Sequence, residues 1–342
     1  MAVVAALVVT CTVGVAPASA SHGKNGKVCI VEDVGGDENP LNAAAASEIK
    51  AARSKLHVDV VSPDAATPAD IQANLDSFVS SGDCDLIIGL GFLVGPVMEP
   101  FIIANPDQDF VAVDLFYGGI YPNVAEIVFL SDEAGFLAGY VAAGISETGK
   151  VGVFGGLPVP GVTLFMDGYA LGVERYNAEY DAGVEVLGWD PDLQSGLFAF
   201  TFEDPVVGQM LAADLYDQGA DTVFPVAGFT SFGALAEAAE RADAGQSVRV
   251  VGVDFDWSGF LGDPDRVILT SAVKDYGPAA FKQIEALVDG TWAAGFVVEG
   301  LESGAVDIAP FHRLNRAVPG YLKRDLKAIR AGIIDGTIAT TP

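Results

Sequence analysis

The sequence predicts an α/β protein of two doubly wound parallel-sheet lobes joined by hinge crossovers. Three observations carry that prediction. Short runs rich in Val, Ile and Leu alternate with longer stretches of helical spacing; the alternation runs five times and then starts again; and no Pro- or Ser-rich linker separates the two sets. Near-continuous β-branched runs between helices mark strands buried on both faces, as in a parallel sheet. A repeated set of such units means two lobes, not one large sheet.

The first set of strands lies at residues 28–31, 58–61, 86–89, 110–113 and 127–129, the second at 151–154, 184–187, 222–226, 250–253 and 267–269. Helical spacing is clearest at 42–54, 71–80, 134–145 and 206–218. The last third adds a helix at 276–289, strands at 296–299 and 306–309, and an amphipathic helix at 321–333. A chain that ends by crossing back and forth suits a two-lobed clamp with several strands as its hinge. The first lobe is expected to span 27–128 plus 273–291, the second 129–272 plus 292–342.

Composition narrows the function. The chain has 342 residues, 51% of them hydrophobic and 19% charged, enough for two folded domains and no candidate for disorder. Its 46 Asp and Glu against 18 Lys and Arg give a formal charge of −28, which repels phosphate backbones and excludes nucleic acid as a partner. Ordinary acidic solubility and adaptation to high salt both explain such a balance. Three Cys and three His are too scattered for a zinc site, and neither metal nor cofactor is expected.

Residues 1–20 carry no charge and end Ala-Pro-Ala-Ser-Ala, the pattern of a secretory signal cleaved near Ala20. The mature chain is therefore expected outside the cytoplasm, periplasmic or at the cell surface. Cys11 raises a lipid anchor, although Val-Val-Thr before it is a poor match to the small residue that usually precedes a lipidated Cys. Cys29 and Cys84 remain in the mature chain. Neighbouring strands permit a bridge in an exported protein, while a free Cys is commonly a small core hydrophobe.

Ligands of open α/β sheets bind outside the carboxyl ends of the strands. There the sequence gathers carboxylates and glycines: Asp33 in the loop Asp33-Val34-Gly35-Gly36-Asp37-Glu38-Asn39-Pro40-Leu41-Asn42, then Gly89-Leu90-Gly91-Phe92, Asp114, Gly155-Gly156, Ala227-Gly228-Phe229, and Asp254-Phe255-Asp256. The glycine-rich loop matches neither G-x-x-x-x-G-K-[ST] nor a G-x-G-x-x-G opening a helix. Its carboxylates repel phosphate and accept hydrogen bonds from hydroxyls, so a neutral polyhydroxylated ligand fits it better. No G-x-S-x-G elbow, H-E-x-x-H or Cys/His pairing occurs, and His22, His57 and His312 read as surface histidines; an enzyme is not expected.

These motifs resemble the basic membrane protein family of ABC-transporter substrate-binding proteins, the PnrA-like type that binds purine nucleosides. The similar stretches cover almost the whole mature length: Asp33-Val34-Gly35-Gly36 with Leu41-Asn42, Ile88-Gly89-Leu90-Gly91-Phe92, the run 129–139, Thr148-Gly149-Lys150-Val151-Gly152, Phe202-Glu203-Asp204-Pro205 before Gly208, Val251-Gly252-Val253-Asp254-Phe255-Asp256, Thr270-Ser271-Ala272-Val273-Lys274, Val306-Asp307-Ile308-Ala309-Pro310 and Ile334-Asp335-Gly336. Each is weak alone, and their order and spacing are the signal.

The resemblance implies a type I periplasmic-binding-protein fold that closes on a nucleoside between its lobes and delivers it to an ABC permease, as a monomer. Carried over by motif, Asn42 and Asp114 contact the ligand from the first lobe. Phe202 stacks on the base, Gly228 lines its pocket, and Asp254 or Asp256 with Lys274 holds the ribose hydroxyls. One departure is clear. Leu41 stands where the family has a second stacking aromatic, which forfeits about 1–3 kcal/mol of stacking. Trp257 is a candidate to compensate, or else a core residue. A sugar or other neutral polyol on the same fold, or a sensory nucleoside receptor without transport, are the alternatives.

Overall fold

A computed structural model describes residues 26–35, 39–259 and 263–342 of the chain. The expected signal segment, Cys11, His22, and Asp37 and Glu38 of the first loop lie outside the described residues.

The chain begins with β1 (Lys27–Val31), α1 (Pro40–Lys55), β2 (Asp59–Val61), α2 (Pro68–Ser81), β3 (Leu86–Leu90), α3 (Val94–Ala104), β4 (Phe110–Val113) and β5 (Val124–Phe129). It continues with α4 (Ser131–Ile145), β6 (Lys150–Gly155), α5 (Pro160–Tyr180), β7 (Glu185–Leu187), the small hairpin β8 (Trp189–Asp190) and β9 (Ser195–Gly196), α6 (Pro205–Asp217), β10 (Thr222–Val226), α7 (Ser231–Asp243), β11 (Arg249–Asp254) and β12 (Ile268–Lys274). It ends with α8 (Tyr276–Val288), β13 (Gly295–Glu299), β14 (Val306–Ile308) and α9 (Gly320–Ile334).

Two six-stranded sheets result, ordered β13-β5-β4-β3-β1-β2 and β14-β12-β11-β10-β6-β7. Within each, the first five strands in chain order lie 2-1-3-4-5, the doubly wound pattern, and all pairings but the antiparallel β12–β14 are parallel. The central strands β1, β3, β4 and β10 are buried along nearly their whole length, as their unbroken apolar runs require.

Helix ends follow local chemistry. Thr67 and Asp70 form a capping box at the start of α2, and Gly82 closes that helix with a left-handed φ of 62°. Asp204 caps α6 through Val206 and Val207, and Asp275 caps α8 through Gly277. Helices α3, α5 and α7 and the β8–β9 hairpin join the elements that spacing alone singles out.

One expected boundary is corrected. The sequence places the segment 292–342 wholly in the second lobe, yet β13 pairs in parallel with β5 and extends the first sheet. The chain returns to the second sheet only afterwards, through β14 on β12. Parallel partners are remote in sequence, so the pattern of the strand shows its existence and not its sheet.

Three passages therefore connect the sheets: β5 to α4, β12 to α8, and β13 to β14. Hydrogen bonds tie them together. The Leu130 amide donates to the Glu299 carbonyl at 2.8 Å and the Asp275 amide to the Ala305 carbonyl at 2.7 Å. The Leu301 amide donates to the Glu133 carboxylate at 2.6 Å. Burial, ahead of its neighbours' charges, raises the Glu133 pKa above the ordinary carboxylate value.

Cys29 and Cys84 form a disulfide that joins β1 to the residues before β3 inside the first lobe's core. Of the two readings open from sequence, the bridge is the one the structure takes.

Candidate functional site

The site grows from the carboxyl ends of the two sheets. In the 2-1-3-4-5 order, β4 and β11 are equivalent strands, and each is followed or ended by an aspartate: Asp114 with φ 61° and Asp254 with φ 70°. A non-glycine residue rarely takes this left-handed conformation, and aspartate takes it more readily than most. Both carboxylates are thereby turned out of their strands toward the same place.

Lys274 lies between them, at the end of β12 and the start of a passage between lobes. Its Nζ donates to Asp114 Oδ2 at 2.6 Å and lies 3.0 Å from Asp254 Oδ1. The ammonium is only 5% exposed and also sits 5.3 Å from the centre of the Phe165 ring. Burial alone pulls a lysine pKa down; the charges of Asp114 and Asp254 more than offset that, and Lys274 sits above its ordinary value. It stays protonated at every physiological pH.

Sequence reasoning missed Tyr276. Its hydroxyl donates to Asp114 Oδ2 at 2.6 Å, the oxygen that also receives Lys274, and its ring tilts on Phe129 at 5.4 Å. The available signal was its place two residues after the hinge lysine, just past the capping Asp275. Burial, then the charges of Asp114 and Asp254, pushes its hydroxyl well above the usual tyrosine pKa, so it remains a donor.

Asp33 caps β1 beside this group. Its Oδ1 accepts from the Val34 amide at 2.7 Å and its Oδ2 from the Leu93 amide at 3.3 Å. Gly91 makes the second contact achievable: it has φ 87°, and a Cβ there would stand 2.5 Å from Asp33 Oδ2. The Asp33 pKa is pushed up to about 6, foremost by burial; the Val34 and Leu93 amides oppose the rise, and the charges of Asp114 and Glu203 add to it.

Asn42 takes a different place from the ligand contact expected of it. It is 1% exposed, donates to the Asp33 carbonyl at 2.7 Å and accepts from the Asp33 amide at 3.3 Å. It locks the first turn of α1 to the end of β1 and so sets the direction of Asp33.

The second lobe supplies Phe202, in the loop before α6. Its carbonyl accepts from the Thr230 amide at 3.1 Å, which ties that loop to the turn starting at Gly228. Gly228 has φ 54°, the left-handed conformation that favours glycine, and a Cβ at Gly156 would stand 2.3 Å from the Phe202 ring, so it is Gly156 that makes room for the ring. Phe92, at the carboxyl end of β3 in the first lobe, meets Phe202 edge to face with ring centroids 5.6 Å apart. Phe92 also escaped the sequence reading of site residues, although the matched run Ile88–Phe92 ends on it.

Two sequence expectations separate here. Of the pair Asp254 and Asp256, Asp254 joins Lys274, whereas Asp256 turns away: its Oδ2 lies 2.7 Å from His312 Nε2 and its Oδ1 accepts from Ser258. His312 is exposed, as a surface histidine should be, and has this carboxylate as its partner. Trp257 is a core residue, 1% exposed, with its indole N–H on the Val253 carbonyl at 3.0 Å. It does not stand in for the aromatic missing at Leu41, whose side chain lies outside the described residues.

Two doubly wound sheets, three tied passages and facing charged strand ends define a two-lobed solute-binding protein of the type I periplasmic architecture. The chain belongs to the Bmp family of PnrA-like ABC transporter substrate-binding proteins, whose model matches residues 27–335. Proteins of this family act outside the cytoplasm, and among the described residues no helix is long and apolar enough to cross a membrane. Basic membrane protein A of Borreliella burgdorferi is 27% identical over 316 residues, covering 91% of this chain and 86% of that protein. The ABC transporter nucleoside-binding protein BmpA of Lactococcus lactis is 27% identical over 280 residues, covering 79% of this chain and 74% of that protein. The crystal structure of an ABC transporter solute-binding protein from Aeropyrum pernix K1 matches with a TM-score of 0.76 at 26% identity, over 92% of each chain.

Proposed function

We propose that the chain is the extracytoplasmic receptor of an ABC importer and closes its two lobes on a nucleoside, preferably a purine. The observation that carries this reading is the sharing of Lys274 between Asp114 of the first lobe and Asp254 of the second. Two carboxylates and an ammonium on one spot offer acceptors and a donor to the adjacent hydroxyls of a ribose. Phe202 and Phe92, on loops at the carboxyl ends of the two sheets, offer aromatic faces for a base.

Charge argues against a phosphorylated ligand. Asp33, Asp114 and Asp254 outnumber Lys274, and Glu203 acts on Asp33 from the other lobe. A nucleoside fits that balance and a nucleotide does not. The name carried by the Lactococcus relative supports the same class. A neutral sugar is the second reading, favoured by Leu41 in place of a stacking aromatic.

A thermal-shift panel tests the proposal. At ~100 times its dissociation constant, a bound nucleoside stabilises the fold by about 2.7 kcal/mol. Adenosine, guanosine and inosine are expected to raise the melting temperature and to be recovered intact. A rise with free pentose or hexose and none with any nucleoside overturns the base-binding half of the reading. Release of free ribose in proportion to protein would point to a hydrolase instead.

A further inference from the structure

Each sheet ends in two edge strands, and three of the four are guarded. Strands β2, β7 and β14 are three residues long. Each carries a solvent-facing carboxylate in an ion pair: Asp59 with Arg53, Glu185 with Lys150 and Asp307 with Arg330. Short, charged edges resist pairing with another chain. Strand β13 has neither protection. It is five residues long, and its one charge, Glu299, is 3% exposed and bound to Lys282.

The surface beside that edge is apolar apart from the half-exposed Lys282 at its Glu299 end. Phe296 and Val298 of β13, with Phe116 and Ile120 of the β4–β5 loop, are each more than half exposed. Residues 115–125 and 290–298 contain no charged side chain, in a sequence that is 19% charged. The patch is also held in place. The buried Glu126 carboxylate accepts from the Tyr117 amide at 2.7 Å and the Gly119 amide at 2.9 Å, and Phe116 stacks on Phe296 with ring centroids 5.6 Å apart.

We propose that β13 is a self-association edge, at which a second copy of this chain adds its own β13 antiparallel across a two-fold axis. A second copy fits because the patch is neutral: neutral meets neutral while the −28 of each chain stays outside the contact. A partner selected by charge has nothing to read there. Sixteen of these twenty residues are half-buried or exposed, somewhat fewer than the about 20–30 residues a side of a stable interface, which suits a dimer that forms only as concentration rises. Pairing two β13 strands continues the sheet and satisfies the exposed edge. This departs from the monomer expected of the sequence.

Sedimentation velocity on the full chain tests it. Wild-type protein is expected to pass from monomer toward dimer between about 1 µM and about 100 µM. Added salt should tighten the dimer by screening the two acidic bodies from each other. Val298→Lys puts two ammonium groups into the apolar contact and should raise the dissociation constant at least about tenfold. Ile334→Lys, at an exposed apolar residue outside the patch, should leave it unchanged. Should Val298→Lys fold poorly, hydrogen exchange on the wild type decides: amides 295–299 must gain protection as concentration rises. A wild-type chain that stays monomeric at about 100 µM in low and high salt overturns the proposal. So does a dimer indifferent to Val298→Lys, or unchanged protection of β13.

Discussion

Phe92 of the first lobe touches Phe202 of the second edge to face, with 65° between the ring planes. Among the described residues no other aromatic pair joins the two strand-end loops so directly, which makes this pair a ready test of base recognition. On the proposed function, a base entering the cleft separates these rings and replaces their contact with its own. Phe202→Ala is expected to weaken purine nucleosides about ten- to a hundredfold, the range for one lost stacking partner, and pyrimidines less. Phe92→Ala should show the same order with a smaller loss. Calorimetric titration of adenosine and cytidine against each variant checks both, and equal losses for the two bases would remove the aromatic pair from recognition.

Lys274 should matter to the fold as well as to the ligand. Removing it leaves Asp114 and Asp254 facing one another in a poorly solvated floor. Breaking one member of a buried ion pair costs about 3–5 kcal/mol. Lys274→Met is therefore expected to lower the denaturation midpoint strongly, and Asp114→Asn combined with it should recover part of the loss. Additive losses in the double variant would contradict the pairing.

The Asp33 pKa of about 6 in the folded chain, against 3.8 ordinarily, fixes the sign of a pH effect. Between those values the folded protein binds more proton than the unfolded one, so this residue's contribution to stability rises as pH falls through 6 toward 4. Above pH 6 its ionised form is a liability. Asp33→Asn should be more stable than wild type at pH 7.5 and should flatten the part of the melting-temperature profile between pH 4 and 6.5. An unchanged profile would show that Asp33 titrates normally.

The Cys29–Cys84 bridge closes a loop across a separation of 55 residues within the first lobe. Loss of a disulfide of this kind typically costs about 2–5 kcal/mol. Reductant should lower the melting temperature of the wild type and leave Cys29→Ala/Cys84→Ala unmoved. Two alkylatable thiols in the unreduced protein would refute the bridge.

With −28 charges on one chain, salt should stabilise it. The melting temperature is expected to climb as the Debye length falls from ~10 Å at 0.1 M to ~3 Å at 1 M salt. A flat response would leave acidity without a role in stability.

Much of this was legible in the amino-acid order. Apolar runs such as Leu86–Leu90 announce buried parallel strands, and the repetition of the set announces two lobes. Asp114 and Asp254 could be chosen because they end strands, where such folds gather their chemistry, and Lys274 through the run Thr270–Lys274 that resembles the family. The choice between Asp254 and Asp256 was not legible: it depends on the left-handed turn at Asp254, which sends the residue two places on toward His312. The place of Asn42 was hidden for a related reason. A polar residue opening a helix beside a site reads alike whether its amide faces a ligand or, as here, the main chain of Asp33. The sheet that β13 joins was hidden because its partner β5 lies far away in the chain.

The tied passages between the lobes restrict how the molecule can move. Leu130 is bound to Glu299, Glu133 to Leu301, and Asp275 to Ala305, so each of the three connections is fastened to another. Connections coupled in this way cannot flex one at a time. The two lobes are therefore expected to turn as whole bodies about these joined connections, and a fluorophore on either lobe should relax with one rate wherever it is attached.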